Sequence, residues 1–279
     1  SLEPAKVMIT YMQDGQIEYM YENTTINMNY PVYEEVFLEE SADPNYSFYN
    51  STFVLKEGIT DIPDYGFQDQ ESISEIILPS TLKTIGEMAF DNCYNLTNII
   101  IPDGVSSIGY RAFSGCDYVS SVYIPNTVTY IGEQAFYGIS SDATIYIQRG
   151  TDMSLWDIDW NYSDIEGVEA TGTLNIDGVN YVLMPDLTAN IIGYSNIGVK
   201  NLVVPQYVYL TETAYEVTRI SPYAFYREYT LLSIFLPESI KSIEIEAFYE
   251  CISLKVVDFG NNPTLESIGY QAFAYCREL

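Results

Sequence analysis

Short runs of alternating apolar residues recur along this chain. They read EIILP, NIIIP, SVYIP and TIYIQ in the first half, and NLVVP, SIFLP and VVDFG in the second. Such runs predict short β-strands, and the Pro that closes most of them ends the strand because it lacks an N–H donor. Alternation places two columns of side chains in one core: Ile76, Ile99, Val122 and Ile145, then Leu78, Ile101, Ile124 and Ile147.

The runs belong to a repeat whose period is 23 residues. An Ala-Phe pair follows each strand, and Phe90, Phe113 and Phe136 are 23 residues apart, as are Phe225 and Phe248. A unit of this length with one short apolar strand is typical of a leucine-rich-repeat solenoid, in which each repeat forms one coil. The Ala-Phe pair is then predicted to fill the core from the convex side.

The repeat pattern LxxIxLPxxhxxIGxxAFxxCxxL resembles that of the BspA-like leucine-rich-repeat proteins of bacterial surfaces. The resemblance covers roughly residues 50–147 and 201–279. It implies a parallel concave sheet of short strands, with short helical or 3₁₀ segments on the convex side. It also implies a secreted or cell-surface location and adhesion to host proteins or to other microbes. Such arrays are scaffolds, so the family alone does not name a ligand.

Two hairpin signals indicate that the chain is a tandem duplication. Asp-Gly pairs at 14–15 and 177–178 lie between alternating apolar residues. The period breaks between 148 and 200, where a short helix carrying Trp156 and Trp160 is expected to cap the first array. We predict a hairpin region (1–49), a first array with its cap (50–165), a hairpin insert (166–200) and a second array that stops within a repeat, as in a chain cut from a longer one (201–279).

The charge balance argues against several classes of partner. Of 279 residues, 39 are Asp or Glu and only 11 are Lys or Arg, which gives a formal net charge of −28. This surplus repels phosphate backbones and anionic headgroups, so neither nucleic-acid binding nor binding to a membrane surface is expected, and a basic partner is favoured. No membrane insertion is expected, because no apolar run approaches the ~18 residues of a membrane span.

The four cysteines, Cys93, Cys116, Cys251 and Cys276, each lie three residues after a repeat Phe. Adjacent coils spaced by about 4.8 Å would permit a disulfide, but side chains stacked in parallel fit its dihedral angle poorly. We therefore expect buried free thiols and no disulfide. A zinc site is not expected because the chain has no His and no CxxC.

Catalytic chemistry finds little support in the sequence. The absence of His removes the usual general base, and no cofactor motif is present. Asp157, Asp159 and Asn161 resemble the start of a calcium loop, but Tyr162 stands where the turn glycine belongs, so no metal is expected. An enzyme stays a remote alternative.

A third strand position, between the two core columns, points outward on the concave sheet. It holds Ile77, Ile100, Tyr123 and Tyr146 in the first array, and Val203, Phe235 and Asp258 in the second; Glu75, Asn98, Ser121 and Thr144 flank the first set. Aromatic and apolar side chains in register on an exposed face predict a ligand-binding stripe for an extracellular protein or glycan. Sheet propensity alone also explains such residues. The two leading hypotheses are a binding module and a spacer that holds another adhesive domain off the cell surface.

Overall fold

The computed structural model describes residues 53–279 except 56, 72, 162–164, 196–198 and 262; before residue 53 it describes only the backbone of the strands. The chain packs into two compact units. The first comprises residues 1–119, 124–141 and 150–165, and the second comprises residues 120–123, 142–149 and 166–279. The Asp-Gly pair at 14–15 and its predicted turn lie outside the described residues.

Both units are built from short β-strands. In chain order the first fourteen are β1 (Ala5–Lys6), β2 (Thr10–Tyr11), β3 (Ile17–Tyr21), β4 (Thr24–Met28), β5 (Tyr33–Glu39), β6 (Asn50–Leu55), β7 (Asp61–Ile62), β8 (Ile73–Ile77), β9 (Thr84–Ile85), β10 (Asn98–Ile100), β11 (Ser107–Ile108), β12 (Ser121–Ile124), β13 (Tyr130–Ile131) and β14 (Thr144–Gln148). The others are β15 (Gly167–Ala170), β16 (Gly172–Ile176), β17 (Val179–Leu183), β18 (Thr188–Tyr194), β19 (Asn201–Val203), β20 (Tyr207–Leu210), β21 (Thr213–Ile220), β22 (Ser233–Phe235), β23 (Ser242–Ile243), β24 (Val256–Asp258) and β25 (Ser267–Ile268).

Three sheets lie entirely within the first unit. Strands β7, β9, β11 and β13 form a parallel sheet in that order, with one strand from each coil. Strands β1, β5, β6 and β8 form a second sheet, in which β5 and β6 are antiparallel and β6 and β8 are parallel. Strands β2, β3 and β4 form an antiparallel sheet before the repeats begin.

The second unit opens with the predicted hairpin. Strands β16 and β17 are antiparallel and turn at Asp177 and Gly178, whose φ values of 51° and 81° are those of a type I′ turn. The same sheet continues through β18, β21, β23 and β25, while β19, β22 and β24 form a parallel sheet of their own. The hairpin prediction for the second half is confirmed.

The two predicted core columns are buried, except that Ile147 is half-buried. Beneath them the repeat phenylalanines form stacks within each unit. In the first unit the rings of Phe90 and Phe113 are nearly parallel, with centroids 5.0 Å apart. In the second unit Phe225 and Phe248 stack at 4.7 Å. The spacing equals the distance between neighbouring strands, so each coil adds one ring to the stack.

The convex side is formed by turns, and no helix occurs in the described part of the chain. The predicted helical or 3₁₀ segments are therefore not confirmed. In each coil the residues two before and two after the repeat Phe adopt left-handed conformations; around Phe90 these are Met88 (φ 50°) and Asn92 (φ 62°). Their N–H groups donate to carbonyl oxygens of the following coil, at 2.8 Å for Met88 and 2.7 Å for Asn92. These hydrogen bonds replace the i→i−4 bonds that a helix would need.

The glycine of the repeated Ile-Gly pair allows adjacent coils to approach closely. A Cβ added at Gly109 would lie 2.7 Å from the backbone nitrogen of Glu87 and 2.7 Å from the carbonyl carbon of Gly86. Real Cβ atoms do not approach backbone atoms so closely, so any side chain here would separate the coils. Glycine is needed at 109 because the neighbouring coil leaves no space for a Cβ atom.

The hydrogen bonds around the repeat Phe residues, which run from each coil to the next, form what we call the convex ladder. Residues 157–160 end this ladder in the first array. The carbonyl of Asp159 accepts the N–H of Gln134 at 2.9 Å, and that of Trp160 accepts the N–H of Phe136 at 3.1 Å. The Trp160 ring meets Phe136 edge-on at 5.8 Å and Trp156 at 5.0 Å. The segment predicted to be a capping helix consists of turns, and the backbone carbonyls of Asp159 and Trp160 bond to the coil that contains Phe136.

The cysteines are core residues with a specific role. Each thiol donates a hydrogen bond to the carbonyl of the repeat Phe in the preceding coil; for Cys93 the acceptor is Phe67 at 3.2 Å. The equivalent bonds of Cys116, Cys251 and Cys276 measure 3.3, 2.9 and 3.0 Å. Three of the four are buried as predicted, but Cys276 is half-buried, because its coil has a described neighbour on one side only.

Burial controls the chemistry of these thiols. Desolvation raises the pKa of Cys93 to about 12, and it raises the pKa values of Cys116 and Cys251 well above their ordinary range. At neutral pH these three side chains are therefore thiols, which neither attack electrophiles nor bind metals.

We expect Phe113→Ala to lower the free energy of unfolding by about 3–5 kcal/mol, because it opens a cavity between two stacked rings. The matched control is Tyr130→Ala, which removes an exposed ring from the same unit and should change stability by less than about 0.5 kcal/mol. Urea unfolding measures both. Equal losses in the two variants would contradict the stack as a source of stability.

Alkylation by iodoacetamide at pH 8 should distinguish the four thiols by their reactivity. In the folded protein we expect modification of Cys276 only, since the other three are buried and protonated. Peptide mapping by mass spectrometry locates the label, and the same reaction in guanidinium should modify all four. Labelling of Cys93 in the folded protein as fast as Cys276 would contradict the buried assignment.

Candidate functional site

The predicted stripe residues of the first unit retain little exposed surface. Ile77 ends β8 and Ile100 ends β10, and both are half-buried. Their polar neighbours Glu75 and Asn98 are buried, and the Asn98 amide donates to the Thr97 hydroxyl at 3.3 Å. Ile77 and Ile100 keep part of their surface and stay predicted contact residues, whereas Glu75 and Asn98 cannot contact a ligand without rearrangement.

The two tyrosines of the stripe are buried in the second unit. Tyr123 is 2% exposed and Tyr146 is 1% exposed, so the expectation of an accessible aromatic stripe is wrong at these positions. The physical reason is that residues 166–279 pack on this strand face: the Asn190 amide donates to the Tyr146 hydroxyl at 3.4 Å. The Ser120 hydroxyl likewise donates to the Pro222 carbonyl at 2.6 Å.

The two flanking positions on the same strands are also largely covered. Ser121 on β12 is fully buried and Thr144 on β14 is half-buried. Four predicted site residues thus serve in whole or in part as packing surface. Period-two alternation identified the correct face of these strands, but it carries no information about which segment covers that face.

The second array keeps the predicted position open to solvent. Val203 on β19 is 67% exposed and Phe235 on β22 is 40% exposed, while Leu202 and Ile234, one residue earlier on each strand, are buried. The parallel register sets Val203 opposite Phe235 and Phe235 opposite Asp258. These three side chains therefore form one row across three strands, which we call the concave row.

A second row lies beside the concave row, two residues earlier on each strand. Asn201, Ser233 and Val256 are opposite one another in the register, and the Ser233 hydroxyl donates to the Asn201 side-chain oxygen at 2.7 Å. Val256 is exposed and was missed in the sequence, although it stands at the position that Ser121 holds in the first array. Together the rows expose apolar surface, an amide and the carboxylate of Asp258.

The geometry suits recognition of a small or extended ligand. With strands spaced by about 4.8 Å, the concave row measures roughly 10 Å from β19 to β24. In the described ranges no group of three or more His, Cys, Asp or Glu side chains is placed to hold a metal ion. Nor does any helix in those ranges have the length and apolarity to cross a membrane.

Comparison with known families identifies the repeat. The model of the BspA type leucine rich repeat region matches six copies, over residues 44–153 and 214–279. These two ranges include more than half of the chain. No curated protein sequence matches it significantly.

Several solved structures are similar to the chain at low sequence identity. A leucine-rich cell surface protein from Faecalibacterium prausnitzii is 19% identical, with 89% of this chain and 81% of that chain covered and a TM-score of 0.37. The leucine-rich-repeat protein of T. pallidum is 20% identical, with 87% of each chain covered and a TM-score of 0.30. A leucine-rich-repeat protein from Bacteroides capillosus is 21% identical over 35% of this chain and 87% of that chain, with a TM-score of 0.32.

Proposed function

We propose that this chain, which belongs to the BspA-type leucine-rich-repeat family, is a non-enzymatic binding module that holds an extracellular protein or glycan through its second array. The exposure of Val203 and Phe235 in one register carries the proposal. An apolar row on a folded sheet is unfavourable in water and gains free energy when a partner covers it. The ring of Phe235 supplies a face for an aliphatic side chain or a sugar ring.

The polar groups around the concave row give the contact its chemical selectivity. Asp258 lies at one end of the row, and its carboxylate accepts the N–H of Gly260 at 2.8 Å, which fixes its position. The Asn201 side chain is held by Ser233 and is exposed. A ligand with an apolar centre and a cationic or hydrogen-bond-donating end fits this arrangement, and the net charge of −28 attracts basic partners.

A secreted or cell-surface location is part of the same proposal. The family resemblance supports it, since proteins with this repeat are known from bacterial surfaces. A module of this kind meets its partner outside the cell, where host matrix proteins, host glycans and the surfaces of other microbes are the available ligands. The alternative role is a spacer, which needs no accessible binding surface.

The double variant Val203→Ala/Phe235→Ala tests the proposal. Against immobilised matrix proteins and a glycan array, we expect it to lose at least about tenfold in affinity for the ligand that the unmodified protein binds, because truncation removes the apolar surface. Its melting temperature should change little, since both side chains are exposed. Biolayer interferometry and thermal unfolding measure the two effects.

Tyr270→Ala is the matched control, because it removes an exposed aromatic ring outside the β19–β22–β24 sheet. It should leave the affinity unchanged. Equal affinity of the double variant and the unmodified protein would contradict the concave row as the site. Failure of the unmodified protein to bind any matrix protein or glycan would favour the spacer.

A further inference from the structure

Strand β20 is an edge strand with its own exposed surface. It is four residues long and pairs antiparallel with β21, which is its single strand neighbour within the described ranges. It belongs to the sheet of β16–β18 and β21, so it is separate from the sheet that carries the concave row. An edge strand presents unpaired backbone groups, which are a template for another strand.

The register shows which backbone groups point outward. The N–H of Val217 donates to the carbonyl of Gln206 at 2.9 Å, so the opposed residues of this pair exchange hydrogen bonds. Bonded and non-bonded pairs alternate along an antiparallel ladder, and Val208 is therefore in a bonded pair while Tyr207 and Tyr209 are not. The N–H and C=O groups of these two tyrosines point away from β21.

The side chains of β20 divide cleanly between core and solvent. Val208 is buried, whereas Tyr207 is 43% exposed and Tyr209 is 59% exposed. Alternation places both tyrosines on the same face. The two exposed rings give this face of the edge strand apolar surface, with a hydroxyl at the end of each ring.

Acidic groups accompany this edge. Glu216 lies directly opposite Tyr207 on β21, and its carboxylate accepts a hydrogen bond from the Tyr207 hydroxyl at 3.4 Å. Glu212 is exposed in the turn between β20 and β21. Natural edge strands are commonly protected by Lys, Pro or a bulge, and β20 contains none of these.

We propose that β20 is a docking site for an extended basic peptide, which adds to the sheet as a further strand. Backbone hydrogen bonds to Tyr207 and Tyr209 would supply the pairing, and the two rings would cover alternate side chains of the peptide. Glu212 and Glu216 favour cationic residues in the remaining positions. A second copy of this chain is a poor occupant, because each copy carries a net charge of −28.

The probe is an acetylated and amidated Lys-Val repeat peptide of about seven residues with a fluorescent label. Fluorescence anisotropy at low salt should show binding to the unmodified protein. A Glu-Val peptide of the same length, and a Lys-Val peptide N-methylated at alternate residues, should bind at least about tenfold more weakly. Equal binding of the N-methylated and unmethylated peptides, or no binding of the Lys-Val peptide, overturns the proposal.

Two variants of one residue isolate the backbone contribution. Tyr209→Pro and Tyr209→Thr both remove the ring, but only Pro removes the outward N–H, and Pro is tolerated on edge strands where that group faces solvent. We expect the Pro variant to bind the Lys-Val peptide about tenfold more weakly than the Thr variant. Equal affinities overturn the proposal, and circular dichroism establishes that both variants are folded.

Hydrogen exchange and oligomeric state complete the test. The Tyr209 amide should exchange rapidly in the free protein and slowly with the peptide bound, while the Val208 amide is protected in both states.

Sedimentation velocity should show a monomer; a dimer that Tyr209→Pro dissociates would assign the edge to a second copy and overturn the peptide as occupant. None of these readouts depends on the concave row, so the two proposals fail independently.

Discussion

The structure depends on one constraint, which is that every coil must place equivalent backbone atoms opposite those of its neighbour. On the convex side, N–H groups of one coil donate to carbonyl oxygens of the next coil, at 2.7 Å for Phe90 to Ala112. The stacked Phe rings repeat once per coil, with centroids 5.0 Å apart for Phe90 and Phe113. Both interactions act only while the coils stay in register. The last coil shows how strongly they are maintained: Phe273 follows Phe248 by 25 residues, yet the two rings remain parallel at 5.0 Å. The extra residues are accommodated elsewhere in that coil.

The same constraint produces the candidate binding surface. Stacking brings the outward position of each strand into a row, whatever residue occupies it. Where another part of the chain packs on the row it becomes core, as for Tyr123 and Tyr146. Where the row stays open, as for Val203 and Phe235, the apolar side chains are free to contact a partner. The same position of the repeat is therefore a core position in some coils and a surface position in others.

Much of this architecture can be predicted from the sequence because several copies of the repeat show the same pattern at equivalent positions. A single strand such as NIIIP is ambiguous, but the 23-residue step identifies its core positions, and nearly all of them are buried in the structure. Burial of Tyr146 by Asn190 was not predictable, because it arises between segments 44 positions apart that share no pattern. The left-handed turn at Met88 was equally hidden, since Met has no preference for that conformation and only the bonds between coils stabilise it.

The hydrogen bonds of the convex ladder have a common direction. From Met88 to Tyr110 and from Arg111 to Glu133, the N–H belongs to the earlier coil and the carbonyl to the later one. Peptide dipoles aligned in this way add along the stack, much as they do along an α-helix, and leave partial positive charge at its downstream end. In the first array the carbonyl oxygens of Asp159 and Trp160 occupy that end. In a protein with 28 surplus negative charges, the segments around the repeat Phe residues thus carry an aligned set of peptide dipoles, whose electropositive end is set by the sense of winding.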